Sequence, residues 1–119
     1  MPQEHVPSGS IHVERGSHGG SAVLRATGEI DLGTVAVFSA ALDDVLADAP
    51  AALVVDLTGV GFLGSCGISA LAVARQRCAD GAVDLRVVAT ESPVLRILAV
   101  TGMDEVLSIF PSVEAAAAS

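Results

Sequence analysis

Ser65 and Cys66 are the residues of this chain best suited to chemistry. They stand side by side at the head of the run Gly64-Ser-Cys-Gly-Ile-Ser-Ala-Leu-Ala-Val-Ala-Arg-Gln-Arg-Cys78. A hydroxyl or thiol becomes a catalytic nucleophile beside a base that a third group orients. The histidines, His5, His12 and His18, all lie near the N-terminus, and no spacing sets one of them against Ser65. The Gly-x-Ser-x-Gly pattern of a nucleophile elbow is missing around Ser65. Two cysteines on one helix and scattered histidines match no metal-ligand spacing. The chain has no lysine, so it carries no phosphate-cradling P-loop. The expectation is therefore no catalytic residue, no metal and no cofactor. What Gly64 and Ser65 do offer is a hydroxyl at the start of a helix. A phosphate bound or attached there is stabilised by free backbone N–H groups and by the helix dipole. Cys66, at the same helix start, is the candidate redox residue. Asp31 and Asp56 each end an extended piece, where an aspartate commonly caps the following turn.

These residues need elements to hold them. Ala52–Leu57 is a short apolar run with two adjacent valines, the pattern of a buried strand. Gly59 and Gly61 predict a loop after it. Gly64 or Ser65 then caps a helix that runs to about Cys78. At roughly 100° per residue, Gly67, Ala70, Leu71, Ala74 and Cys78 share a small apolar side that suits a sheet. Ser65, Ile68, Ser69, Ala72 and Gln76 share another side without charge. A solvated helix face normally carries charge, so this second side is the expected docking face, with Ile68, Ser69 and Ala72 touching a partner. Cys66 and Cys78 lie about 18 Å apart along the helix, out of disulfide reach.

The remaining elements follow from hydrophobic spacing. Ile11–Arg15 and Ala22–Ala26 predict a strand pair joined through Gly16-Ser-His-Gly-Gly, and Gly28-Glu-Ile-Asp a further short extended piece. Val35, Phe38, Leu42, Val45 and Leu46 repeat at helical spacing from Gly33 or Thr34 until Pro50. Asp80-Gly81 makes a turn, and Leu85–Ala89 is a strand. Ser92-Pro93 opens a helix that Gly102 ends. Val106–Phe110 is a last short strand, and Pro111-Ser112 begins an Ala-rich terminal helix. Strands and helices alternate from Ala52 onward, which predicts parallel pairing with crossovers. Residues 1–9 are expected to form a flexible tail and residues 10–119 a single domain.

Composition narrows the function. The 119 residues are 51% hydrophobic with three aromatics, all Phe, so the core must be aliphatic. Fourteen acids face six bases, all Arg, for a formal charge of −8. Such a chain has no electrostatic footprint for nucleic acid or an anionic membrane, and too few aromatics to stack bases. No apolar run reaches the ~18 residues of a membrane helix, and no signal peptide opens the chain. A cytoplasmic protein, monomeric or weakly dimeric, is expected.

Four local patterns add a resemblance. Gly28-Glu-Ile-Asp-Leu, Leu53-Val-Val-Asp-Leu-Thr-Gly-Val with Phe62-Leu63, Gly64-Ser-Cys-Gly-Ile, and Thr101-Gly-Met-Asp-Glu-Val-Leu with Ile109-Phe-Pro-Ser-Val-Glu together resemble the STAS domain. The resemblance is to its bacterial anti-sigma factor antagonist branch. It implies an α/β fold: one mixed β-sheet with about four helices packed mainly on one face. It also implies a regulatory protein that is not an enzyme. Such a protein binds an anti-sigma factor, itself a serine kinase, and so frees a sigma factor. The kinase phosphorylates a serine at the start of the second helix, which ends binding, and a phosphatase restores it. Ser65 matches that serine and Gly67 the following family glycine. Cys66 replaces a small residue, and Asp31 matches an acid near the same surface. Gly64 stands where the family usually has Asp. The implied partner surface is Asp31, Gly64, Ser65, Cys66, Gly67, Ile68, Ser69 and Ala72. The Gly64 departure leaves a second reading open. In it the STAS module stands outside the kinase cycle and is constitutive or redox-sensitive through Cys66.

Overall fold

The fold is known from a computed structural model that describes residues 10–90 and 93–118. Its sheet has five strands in the order β1-β2-β3-β4-β5: Ile11–His18, Ser21–Ile30, Ala52–Leu63, Asp84–Val88 and Ser108–Phe110. β1 pairs antiparallel with β2, and every later pairing is parallel. The helices are α1 (Val35–Ala47), α2 (Ser65–Asp80), α3 (Pro93–Val100) and α4 (Val113–Ala117), with a 3₁₀ turn at Met103–Glu105. This is the mixed sheet that the alternation of elements predicts. The tail expected over residues 1–9, with His5, and the Ser92 cap lie outside the described residues.

Side-chain alternation along the strands decides which face each helix covers. Leu24 and Ala26 of β2, Leu53, Val55 and Leu57 of β3 and Val87 of β4 join one core with Phe38, Leu42 and Val45 of α1, Leu71 and Ala74 of α2, and Val94 and Leu98 of α3. The alternate positions Val23, Val54 and Val88 meet Ala116, with Val113 and Phe110 beside them. Three helices thus cover one face and the five-residue α4 the other. Leu24, Leu53, Val55 and Val87 are fully buried, and each contributes about 1.5–3 kcal/mol of transfer free energy.

Three local expectations need correction. The hairpin loop is tighter than expected: β1 runs to His18, and Gly19 and Gly20, both at positive φ, make the turn. Ala22–Ala26 and the Gly28-Glu-Ile piece are one strand, β2. Gly59 and Gly61 do not turn a loop, because β3 continues through both to Leu63. Gly59 serves close approach instead. A Cβ there would come within 3.1 Å of the Thr27 hydroxyl and 3.3 Å of the Ala26 carbonyl oxygen, where the register of β2 on β3 shifts. Asp56 accordingly lies inside the strand and not at its end.

Candidate functional site

Extending β3 to Leu63 is what builds the site. Parallel pairing sets Glu29 opposite Phe62 and Ile30 opposite Leu63, so β2 and β3 end side by side. The Gly64 N–H donates to the Ile30 carbonyl at 2.8 Å and ties the start of α2 to the end of β2. The loops Asp31–Gly33 and Gly64–Cys66 are thereby neighbours. Together with Phe62 they line a hollow of about 490 Å³ formed by Asp31, Leu32, Gly33, Phe62, Gly64, Ser65 and Cys66.

Gly64 is the N-cap of α2, in extended backbone at φ −79° and ψ 175°, and no side chain caps the helix. Ser65 is therefore the first helical residue, and it is exposed. The sequence allowed either residue as the cap. Gly67 lies one turn deeper and is buried; a Cβ there would collide with Leu63 Cδ1 and come within 2.8 Å of Ile30 Cγ2. A glycine lets the first turn of α2 settle onto the strand ends. Overpacking at such a site typically costs about 1–3 kcal/mol.

Asp31 holds the opposite wall. Its Oδ1 accepts from the backbone N–H groups of Gly33 (2.9 Å) and Thr34 (3.1 Å). The buried Thr34 hydroxyl accepts from the Asp31 N–H (2.9 Å) and donates to the Glu29 carbonyl (2.8 Å). These bonds shape the corner before α1 and push Leu32 outward, where it is 86% exposed. Phe62, 50% exposed, stands across from it. Two large apolar side chains in water flank the Ser65 hydroxyl, and Asp31 is the one charged lining group.

Of the residues expected to touch a partner, Asp31, Gly64, Ser65 and Cys66 share this hollow. Ser69 and Ala72 are exposed further along α2. Gly67 is placed under the site and not on its surface. Ile68 departs from its expected position: it is half-buried and packs against the main core. Ser65, Ser69, Ala72 and Gln76 face outward as the angular split has it, and Val73 beside them is 60% exposed. Cys66 also borders a groove between α1 and α2 of about 330 Å³, with Val35, Ser39, Ser69 and Val73 among its walls. The Arg77–Asp43 ion pair joins α2 to α1 at that groove. Neither cysteine is bonded, and Cys78 is buried, which pushes its thiol pKa up.

Leu32, Phe62 and Val73 are the surface residues that sequence reasoning missed. Leu32 belongs to no periodic run. Phe62 sits in a stretch that two glycines disguised as a loop. Val73 belongs to neither of the two helix sides that the spacing singles out.

Among the described residues no helix is long and apolar enough to cross a membrane. A family model described as the STAS domain matches residues 12–116. The chain is 42% identical over 101 residues to the anti-sigma-F factor antagonist RsfB of Mycobacterium tuberculosis, a match covering 85% of this chain and 82% of that protein. It is 34% identical over 101 residues to RsfA, another anti-sigma-F factor antagonist of that organism, covering 83% of this chain and 79% of the relative. Its fold superposes on the crystal structure of an anti-sigma factor antagonist from Mycobacterium paratuberculosis with a TM-score of 0.84. That protein is 34% identical, and the match covers 90% of this chain and 91% of the other.

Proposed function

Because the chain belongs to the STAS domain family, we propose that it is an anti-sigma factor antagonist switched by phosphorylation of Ser65. It binds an anti-sigma factor that is also a serine kinase, and so releases a sigma factor. It has no catalytic site of its own, and a phosphatase returns it to the binding form. The observation that carries the reading is the exposed Ser65 hydroxyl at the first position of α2, set between Leu32 and Phe62 in a hollow whose lining holds no cation. Phosphate there adds about −1.5 to −2 charge at neutral pH. The helix N-terminus tolerates that charge, so the domain stays folded. The cost falls on the complex, where a hydrated dianion next to Asp31 must be covered by apolar surface.

The test uses the purified anti-sigma-F factor that RsfB is named for antagonising. Calorimetry of wild type, Ser65→Ala and Ser65→Glu should show affinity retained in the alanine variant and lost in the glutamate variant. Equal affinity for all three, with the fold intact, would make Ser65 an ordinary helix residue. Gly64 favours a second reading, a partner-binding module outside the kinase cycle and constitutive or redox-sensitive through the half-buried Cys66. Mass spectrometry after incubation with the kinase and ATP separates the two. A wild-type chain that binds but never gains phosphate supports the second.

A further inference from the structure

Next to the Ser65 hollow lies another of about 450 Å³, between the end of β3 and α3, lined by Phe62, Leu63, Pro93, Arg96, Ile97 and Val100. Phe62 is a wall of both. Val100 is 75% exposed, and the core side of α3 is supplied by Val94 and Leu98, so Val100 contributes nothing to the fold that a polar residue would not. The two hollows form one run of apolar surface from Leu32 across Phe62 to Val100. A contiguous apolar patch on a small domain marks an interaction site.

Arg96 gives this surface its chemistry. Arg15, Arg25, Arg77 and Arg86 are paired with Asp48, Asp56, Asp43 and Asp84, and Arg75 donates to the Val106 carbonyl. Arg96 alone has no acceptor among the described residues, although acids outnumber bases 14 to 6 in the chain. An arginine beside an apolar groove is suited to a carboxylate that arrives with an apolar segment.

We infer that the α3 groove is a second half of the partner interface. It takes an apolar segment bearing an Asp or Glu from the same anti-sigma factor that covers Ser65. The inference rests on the antagonist reading above. Continuity through Phe62, and an Arg96 without an acceptor among the described residues, argue for that occupant. A second copy of this chain would bring another −8 charge, and like charge opposes association.

The experiment titrates the purified anti-sigma-F factor into wild type, Ser65→Glu, Arg96→Glu and Val100→Asp by calorimetry, with sedimentation of each chain alone. Arg96→Glu and Val100→Asp should each weaken binding about tenfold or more, as truncated anchors of an interface do, with Tm within about 2 °C of wild type. Wild-type affinity in both, with binding lost in Ser65→Glu, overturns the groove and leaves the antagonist reading standing. A wild-type chain that does not bind overturns both. A chain that dimerises alone, and that Val100→Asp makes monomeric without loss of affinity for the anti-sigma factor, assigns the groove to a second copy and overturns the inference. Arg96 is exposed, so Arg96→Glu decides the matter should Val100→Asp fold poorly.

Discussion

At Gly64 the backbone adopts φ −79° and ψ 175°, which any residue can take up. A Cβ there would meet the Phe62 ring at 3.3 Å and the Ile30 carbonyl oxygen at 3.4 Å, and the half-exposed ring has room to give. Gly64→Asp should therefore fold and supply the missing cap. Better capping, a favourable helix dipole and a stiffer unfolded chain together predict a gain of about 0.5–1 kcal/mol. Thermal melts check the stability, and phosphate incorporation by the kinase should rise in parallel. A variant that melts below wild type would show that the Phe62 ring cannot yield.

Asp56 is the other informative residue, and it stabilises the fold without belonging to the site. It is 3% exposed. Burial alone would raise its pKa, but the Thr58 N–H (3.0 Å), the Thr58 hydroxyl (2.7 Å) and Arg25 Nε (2.9 Å) outweigh that, and the net shift is downward. A carboxyl whose pKa is depressed by folding contributes stability above its unfolded value. That contribution is lost as pH falls through the folded value. Asp56→Asn should cost about 1–3 kcal/mol at pH 7. Below about pH 4, where the ordinary aspartate titrates, the gap between wild type and variant should close. Urea unfolding at the two pH values measures it. A gap that stays constant into acid would mean the carboxylate charge is not what Thr58 and Arg25 hold.

At the scale of the element, α2 divides the legible from the illegible. Its start and its sheet-facing Leu71, Ala74 and Cys78 follow from spacing, because burial against a sheet demands apolar residues in phase; its end, expected near Cys78, comes at Asp80. The partial burial of Ile68 did not follow. Ile68 looks exposed by angle alone, but its aliphatic chain reaches back to the core, a matter of packing between elements that a helical wheel does not contain. β3 fails in the same way: of the two glycines read as a turn, Gly59 is required by the close approach of β2, which is a tertiary fact, and the strand simply continues through Gly61. Asp31 and Gly64–Cys66, which share one hollow, could be picked out of the sequence because their motifs are local. The apolar frame around them could not, because Leu32 and Phe62 come together only through parallel register. Two substitutions separate the ridges. Ile68→Asp should destabilise by about 2 kcal/mol or more, since it places a carboxylate against the core. Val73→Asp should stay within about 0.5 kcal/mol of wild type and weaken binding of the anti-sigma-F factor instead. Denaturant curves beside calorimetry test both; a stable Ile68→Asp and an unfolded Val73→Asp would reverse the assignment.

At the scale of the whole molecule, most of the charge lies apart from the proposed docking surface. The net charge is −8, yet the run from Leu32 to Val100 carries only Asp31 and Arg96 among its lining groups. Asp43 and Asp44 of α1, Asp48 at its C-cap, Asp80 at the end of α2, and Asp84 of β4 are not part of that lining. Such an arrangement lets the global field act before contact and the apolar surface act after it. A partner with exposed arginines is steered by the field, while the lifetime of the complex depends on apolar burial and one local ion pair. Raising salt from 0.1 M to 1 M shortens the screening length from about 10 Å to about 3 Å. Association of the anti-sigma-F factor should then slow by about tenfold, whereas dissociation should change by less than about threefold. Stopped-flow mixing gives the first rate and dilution of the preformed complex the second. If salt speeds dissociation and leaves association alone, the charges lie inside the interface, and the apolar run from Leu32 to Val100 is not the surface that docks.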